Sequence, residues 1–218
     1  MRIVCMTNEG QLPMMKNMLT SAQKAGIDMR LFHCYILNTQ KEAATYNTGE
    51  FKSITTRKLE VILENMKLDN EVIWIDNDIV IFENFINDLR KKQGKFVMQD
   101  DLWSPCTGFF LVRPDVFTTK AIQQCIDWLK QNSHIPSLND QHAFTNISKR
   151  TIGLTVTLLS KDEYPNGYVY FNQNVTSKAK IVHCNYLFTA AEKEQRLKDN
   201  GLWNINESIL ENVNKYSI

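Results

Sequence analysis

The sequence predicts an α/β fold, a mainly parallel, doubly wound sheet with helices on both faces, and two observations carry that expectation. Short apolar runs alternate with segments whose apolar residues recur at helical spacing, the order expected of repeated βαβ units. One run, "VIWI" at residues 72–75, is apolar at every position, as suits a central strand covered on both sides. The 218 residues, 43% of them hydrophobic, can bury one large core. A single domain is therefore expected over residues 1–218.

The elements follow in order. "RIVCM" reads as a buried first strand. In "QLPMMKNMLTSAQKAG", Met14, Met15, Met18, Leu19 and Ala22 share one helical face, with Pro13 in the first turn and Gly26 past the end. "MRLFHCYIL" is the next strand, and a polar loop then runs from Asn38 to about Phe51. In "TTRKLEVILENMK", Leu59, Ile62, Leu63 and Met66 make an apolar stripe. After the central strand come a helix at 84–92, strands "KFVMQ" and "GFFLV", a helix at 114–131 and a short helix after Asn139. Strands "LTVTLL" and "KIVHC" and a helix at 190–200 closed by Gly201 complete the chain. No repeat, low-complexity tract or linker interrupts this order.

Composition excludes some functions. The 25 Lys plus Arg against 24 Asp plus Glu give no global attraction to nucleic acid or anionic lipid. Five scattered cysteines without a Cys-x-x-Cys pair fit reduced thiols in a cytoplasm better than a disulfide framework or zinc knuckle. No apolar segment reaches the length of a signal-peptide core or a membrane span, so a chain without a membrane span, monomeric or weakly dimeric, is expected.

The chemistry concentrates after the central strand, in "EVIWIDNDIVIF". Residues i and i+2 of an extended segment point the same way, so Asp76 and Asp78 can converge at the strand's carboxyl end, where open α/β sheets place ligands. Two adjacent carboxylates repel unless a cation joins them, and a divalent metal carrying a phosphorylated ligand meets that need. A strand-ending Asx turn is the alternative reading of the same residues. Arg57 and Lys58 fall in the expected first turn of their helix, where the macrodipole favours anions; they either meet a diphosphate or extend into solvent. His183 ends an apolar strand, and Thr189 with Glu192 forms a capping box for a helix whose first turn carries Lys193. Two carboxylates and a neutral imidazole suit Mn²⁺, or Mg²⁺.

Taken in order, "VIWIDNDIVIF", "SPCTGFFLVRP", "NDQHAF" and "IVHCNY" with the downstream Lys and "GLW" resemble the nucleotide-diphospho-sugar transferases of the GT-A fold, from about Thr55 to Trp203. That resemblance implies a mixed, mainly parallel Rossmann-like sheet, with a nucleotide-sugar part at about 1–100 and an acceptor part at about 101–218. It implies a metal held by Asp76, Asp78 and His183, and donor contacts from Thr7, Asn8, Arg57, Lys58, Asp76, Asn77, Thr107, Gly108 and Lys193. Asp140 and Gln141 match the Asp-Gln pair beside the transferred sugar and become the candidate catalytic residues. Asp100 and Asp101, on the same expected rim, become candidate acceptor contacts. Cys106 stands where many relatives carry Asn, a departure that bears on donor and acceptor contacts.

The expected reaction is transfer of a sugar from a nucleotide-diphospho-sugar, UDP by its frequency in the fold with GDP left open, to a glycan or other hydroxyl, and the resemblance leans towards retention of anomeric configuration. Two rivals stand beside it. "DNDIV" also fits the nucleophile motif of haloacid-dehalogenase-like phosphatases, with Asp76 as nucleophile, although that motif normally ends the first strand. The other rival is a non-catalytic nucleotide-sugar-binding module.

Overall fold

The computed structural model describes residues 1–38 and 42–218. The elements are β1 (Arg2–Asn8), α1 (Leu12–Lys24), β2 (Phe32–Leu37), α2 (Gly49–Met66), β3 (Val72–Ile75), β4 (Ile79–Ile81), α3 (Ile86–Lys91), β5 (Phe96–Asp100), β6 (Pro105–Val112), α4 (Val116–Gln131), α5 (Asp140–Ser148), β7 (Val156–Leu158), β8 (Ile181–His183), α6 (Ala190–Asp199) and β9 (Asn214–Ser217). Among the described residues, seven strands form one sheet in the order β7-β5-β6-β3-β1-β2-β9, and β4 with β8 forms a second, two-stranded sheet. β6 runs antiparallel to both neighbours, and the other pairs of the large sheet are parallel. The mixed, mainly parallel sheet expected from the sequence is present.

Alternation along each strand builds the two core layers. Ile3 and Cys5, Ile73 and Ile75, Phe109 and Leu111 face the layer that contains Met15, Met18 and Leu19 of α1. Val4 and Met6, Val72 and Trp74, Phe110 and Val112 face Leu59 and Ile62 of α2, Ile122 and Leu129 of α4 and Phe144 of α5. Because both faces are covered, β3 is buried at every position, as its sequence requires.

Several boundaries differ from expectation. α2 begins at Gly49 instead of near Thr55, because the Thr48 side chain caps it by accepting from Phe51 N. Arg57 and Lys58 therefore lie well inside α2, and the first-turn position expected for them is corrected. "IVI" after the aspartates is a separate strand, β4, whose partner lies a hundred residues downstream. β9 is a polar edge strand on β2. The capping box predicted for α6 is present, with Thr189 and Glu192 in their expected roles.

The β5–β6 ladder breaks next to the site. Met98 pairs with Phe110, but the next residue, Gln99, pairs with Cys106, so Thr107 to Phe109 have no partners on β5. Gly108 O instead accepts from Asp76 N at 2.8 Å. Bulges of this kind re-aim side chains and recur beside active sites.

β9 also provides a pH probe. His33 Nδ1 accepts from Tyr216 Oη at 2.9 Å and from Arg2 Nη1 at 3.2 Å, and burial together with the Arg2 charge lowers its pKa to about 4. A depressed histidine contributes stability that is full above its unfolded pKa, about 6.5, and that fades as pH falls through 4. Thermal stability is thus expected to fall from pH 6.5 to 4, with a shallower dependence in His33→Gln; identical slopes would contradict this. No helix among the described residues is long and apolar enough to cross a membrane.

Candidate active site

A cleft of about 770 Å³ opens beyond the carboxyl ends of β1 and β3, the place where sheets of this kind bind ligands. The chain enters it at Asp76, the first residue after β3. Asp76 Oδ1 accepts from Trp74 Nε1 at 2.6 Å, since residues i and i+2 share a side, and from Lys58 Nζ at 3.1 Å. Lys58 is buried, lies 5.1 Å over the Trp74 ring and also pairs with Asp140 Oδ2 at 2.8 Å. Burial alone would lower its pKa, but Asp140 and Asp76 outweigh burial and raise it, so Lys58 is a permanent cation.

Asp78 lies in the turn between β3 and β4. Antiparallel pairing of β4 with β8 sets Ile79 opposite His183, which brings the imidazole to the acids: His183 Nε2 is 3.2 Å from Asp78 Oδ1. Lys193, from the start of α6, is 2.7 Å from Asp78 Oδ2. Burial pushes the Asp78 carboxyl up, yet Lys193 and His183 prevail and hold it well below the usual carboxylate range. Asp78 raises both partners in turn against the effect of their burial.

Asp76, Asp78 and His183 each offer one ligand atom, and these atoms lie within 4.8 Å of one another. Two hard oxygens with one imidazole nitrogen fit Mn²⁺, or Mg²⁺ with water completing the shell. The space they surround depends on Gly108: a Cβ there would collide with His183 Cε1 and lie 2.8 Å from Asp76 Oδ2. The donor set and its glycine-lined cradle both fit a divalent ion.

Of the residues singled out in the sequence, Lys58, Asp76, Asn77, Asp78, Asp101, Thr107, Gly108, Asp140, Gln141, His183 and Lys193 line this one cleft. Arg57, Thr7, Asn8 and Asp100 are placed otherwise. Arg57 points away from its neighbour Lys58, pairs with Glu60 and Glu64, and lines a separate groove with Lys52 and Lys130. Thr7 donates to Asn8 O, while the Asn8 amide accepts from Gln11 N and donates to Glu42 O, so Met6 and Gln11 line the cleft in their stead. Asp100 accepts from Leu102 N and faces Lys161 at 3.9 Å.

Asp101, which lines the cleft, also makes contacts within the protein. Its Oδ2 accepts from Gln141 Nε2 at 2.9 Å and its Oδ1 from Asn185 Nδ2 at 3.0 Å and Asn166 Nδ2 at 3.2 Å. Through these bonds Asp101 braces Gln141, which Ser104 Oγ holds at 3.0 Å from the other side. Sequence reasoning missed Trp74 Nε1, Asn185 and Gln99; a Gln in the apolar run "KFVMQ" was the one visible signal.

A mixed sheet with an Asp-x-Asp after its central strand, joined in space by a late histidine and two lysines paired with carboxylates, defines a GT-A type of fold and site. The comparisons agree. Residues 16–197 match the nucleotide-diphospho-sugar transferase family, and the chain belongs to it. It is 29% identical to a UDP-galactose:fucoside alpha-3-galactosyltransferase of Dictyostelium discoideum over 82% of this chain and 33% of that protein. It is 24% identical to the UDP-D-xylose:L-fucose alpha-1,3-D-xylosyltransferase MGP4 of Arabidopsis thaliana over 76% of this chain and 53% of that protein. The chain thus spans a third of one curated relative and about half of the other. Among solved structures, it resembles a glycosyltransferase involved in glycosylation of the major capsid of PBCV-1, with TM-score 0.64 and 12% identity over 91% of this chain and all of that one. It also resembles the galactosyltransferase LgtC, with TM-score 0.56 and 12% identity over 97% of this chain and all of that one. The haloacid-dehalogenase-like reading of Asp76 is not favoured beside these matches.

Proposed function

We propose that this chain transfers a sugar from a UDP-sugar to a hydroxyl of a fucosyl residue, with a divalent metal and with retention of anomeric configuration. The observation that carries the reading is the convergence of Asp76, Asp78 and His183 with Lys58 and Lys193 in one cleft. Departure of a nucleoside diphosphate places negative charge on a phosphate oxygen, and fixed cations aimed at that charge lower the barrier. Lys58 is buried and Lys193 partly so, and both are held by carboxylates that keep them charged, so they need little reorganisation when the charge develops. Bound at Asp76, Asp78 and His183, Mn²⁺ or Mg²⁺ would supply Lewis-acid stabilisation of the same leaving group.

Asp140 is committed to Lys58, which leaves Gln141 to face the sugar. With its amide nitrogen tied to Asp101 and Ser104, Gln141 holds its carbonyl in a fixed direction beside an oxocarbenium-like centre. In this reading residues up to about 100 hold the nucleotide, apart from His183 and Lys193, and later residues form the acceptor side. Tyr186 and Phe188 line the cleft mouth with largely exposed rings, and Tyr168 packs near Tyr186. Aromatic faces of this kind suit a deoxysugar, whose methyl group adds an apolar edge.

The donor and acceptor follow from the names of the two relatives, both of which act from a UDP-sugar on a fucoside or fucose. The alpha linkages in those names, from donors whose sugars are α-linked to phosphate, support retention. Incubation with UDP-galactose or UDP-xylose, Mn²⁺ and a fucoside is expected to yield an α-linked disaccharide, identified by nuclear magnetic resonance. A β-linked product would overturn retention, and transfer to other sugars but not to fucosides would overturn the acceptor.

A further inference from the structure

We infer that Gln99 is a positioning residue for the metal site: its side-chain oxygen holds the hydrogen on His183 Nδ1 and so makes Nε2, on the side of Asp78, the nitrogen that ligates. The inference rests on the metal-binding reading above and deepens it.

Gln99 is wholly buried at the end of β5, and every polar atom of its side chain has a partner. Nε2 donates to Tyr164 O at 3.1 Å and to Pro165 O at 3.0 Å, which uses both of its hydrogens. The amide cannot be turned over, because its oxygen would then face two carbonyl oxygens. The atom 2.9 Å from His183 Nδ1 is therefore Oε1, an acceptor, and an acceptor there requires the hydrogen on Nδ1. Nε2 is then the nitrogen free to ligate, and it lies 3.2 Å from Asp78 Oδ1.

The backbone provides for this contact. The register break falls between Met98 and Gln99, pairs Gln99 with Cys106 and swings Gly108 toward His183 and Asp76. Cys106 Sγ lies 3.6 Å from the same Nδ1; a thiol is a weak acceptor and cannot fix the ring as a carboxamide oxygen does. Ligating histidines are oriented by the partner of their other nitrogen, and loss of that partner typically costs about 10–100-fold in metal affinity.

Two measurements test the assignment. In wild-type protein loaded with Mg²⁺ and UDP, nitrogen-15 spectra of His183 should show the hydrogen on Nδ1; a hydrogen on Nε2 would overturn the inference without any substitution. Mn²⁺ affinity, read from the paramagnetic resonance signal of free ion in the presence of UDP, should fall about 10–100-fold in Gln99→Leu. Gln99→Glu, which keeps an oxygen toward Nδ1 but loses donors to the two carbonyls, should retain affinity within a few-fold even if it melts earlier. Equal affinity in folded Gln99→Leu and wild type would contradict the role of Gln99. Wild-type protein that takes up no Mn²⁺ with UDP would instead remove the metal reading, and this inference with it.

Discussion

Substitution of Gly108 by alanine is expected to abolish metal-dependent donor binding, although it adds one methyl group and removes no charge. The added Cβ would meet His183 Cε1 on one side and Asp76 Oδ2 on the other. Relief by movement of the strand is blocked, because Gly108 O accepts from Asp76 N at 2.8 Å and β6 is paired with β3 directly beyond it. Overpacking of this kind costs about 1–3 kcal/mol, so the variant should fold, with its ligand atoms pushed apart. Mn²⁺-dependent affinity for UDP should fall at least about 100-fold, since metal sites tolerate ligand shifts of only a few tenths of an ångström. UDP binding without metal should change little. Retained metal dependence in Gly108→Ala would show that these side chains do not close around an ion.

The second large effect belongs to Lys58. Its ammonium joins Asp140 at 2.8 Å and Asp76 at 3.1 Å, with Lys58 and Asp140 both almost fully buried. In Lys58→Met the Asp140 carboxylate loses its cation inside the protein, and breaking a buried pair from one side costs about 3–5 kcal/mol. Removing both charges in Lys58→Met with Asp140→Leu should recover much of that stability, since the uncompensated charge is gone. The double variant should still be impaired in transfer by about 10²–10³-fold, the effect of losing one fixed donor to a developing negative charge. Chemical denaturation and rate assays on the same preparations separate the two consequences. Single and double variants of equal stability would contradict the buried pair.

Much of the site was legible because its pieces are local. Asp76 and Asp78 are one residue apart at the end of an all-apolar strand, and His183 ends another apolar run; neither signal depends on distant pairing. The start of α2 was obscured because its first two turns are largely polar, and the cap that sets it, Thr48 with Glu50 in the first turn, sits in a stretch that reads as loop. That shift moved Arg57 and Lys58 from a helix start to a helix interior, where adjacent residues point to different faces and only Lys58 reaches the cleft. β4 was hidden inside the same apolar run as the aspartates, and its partner β8 is set by long-range pairing. β9, "NKYS", is polar at every exposed position and carries no strand alternation. Asp101 as a brace and Gln99 behind His183 depend on a bulge and on contacts across 40 to 84 residues, which spacing does not encode.

The proposed activity requires that Asp76, Asp78 and His183 grip an ion that in turn holds a diphosphate. Calorimetric titration of UDP into wild-type protein and Gly108→Ala, each with and without Mn²⁺, addresses it most directly. Tight binding that appears only with Mn²⁺ in wild type and is absent from the variant is the expected result. UDP affinity that is the same with and without the ion in wild type would contradict it.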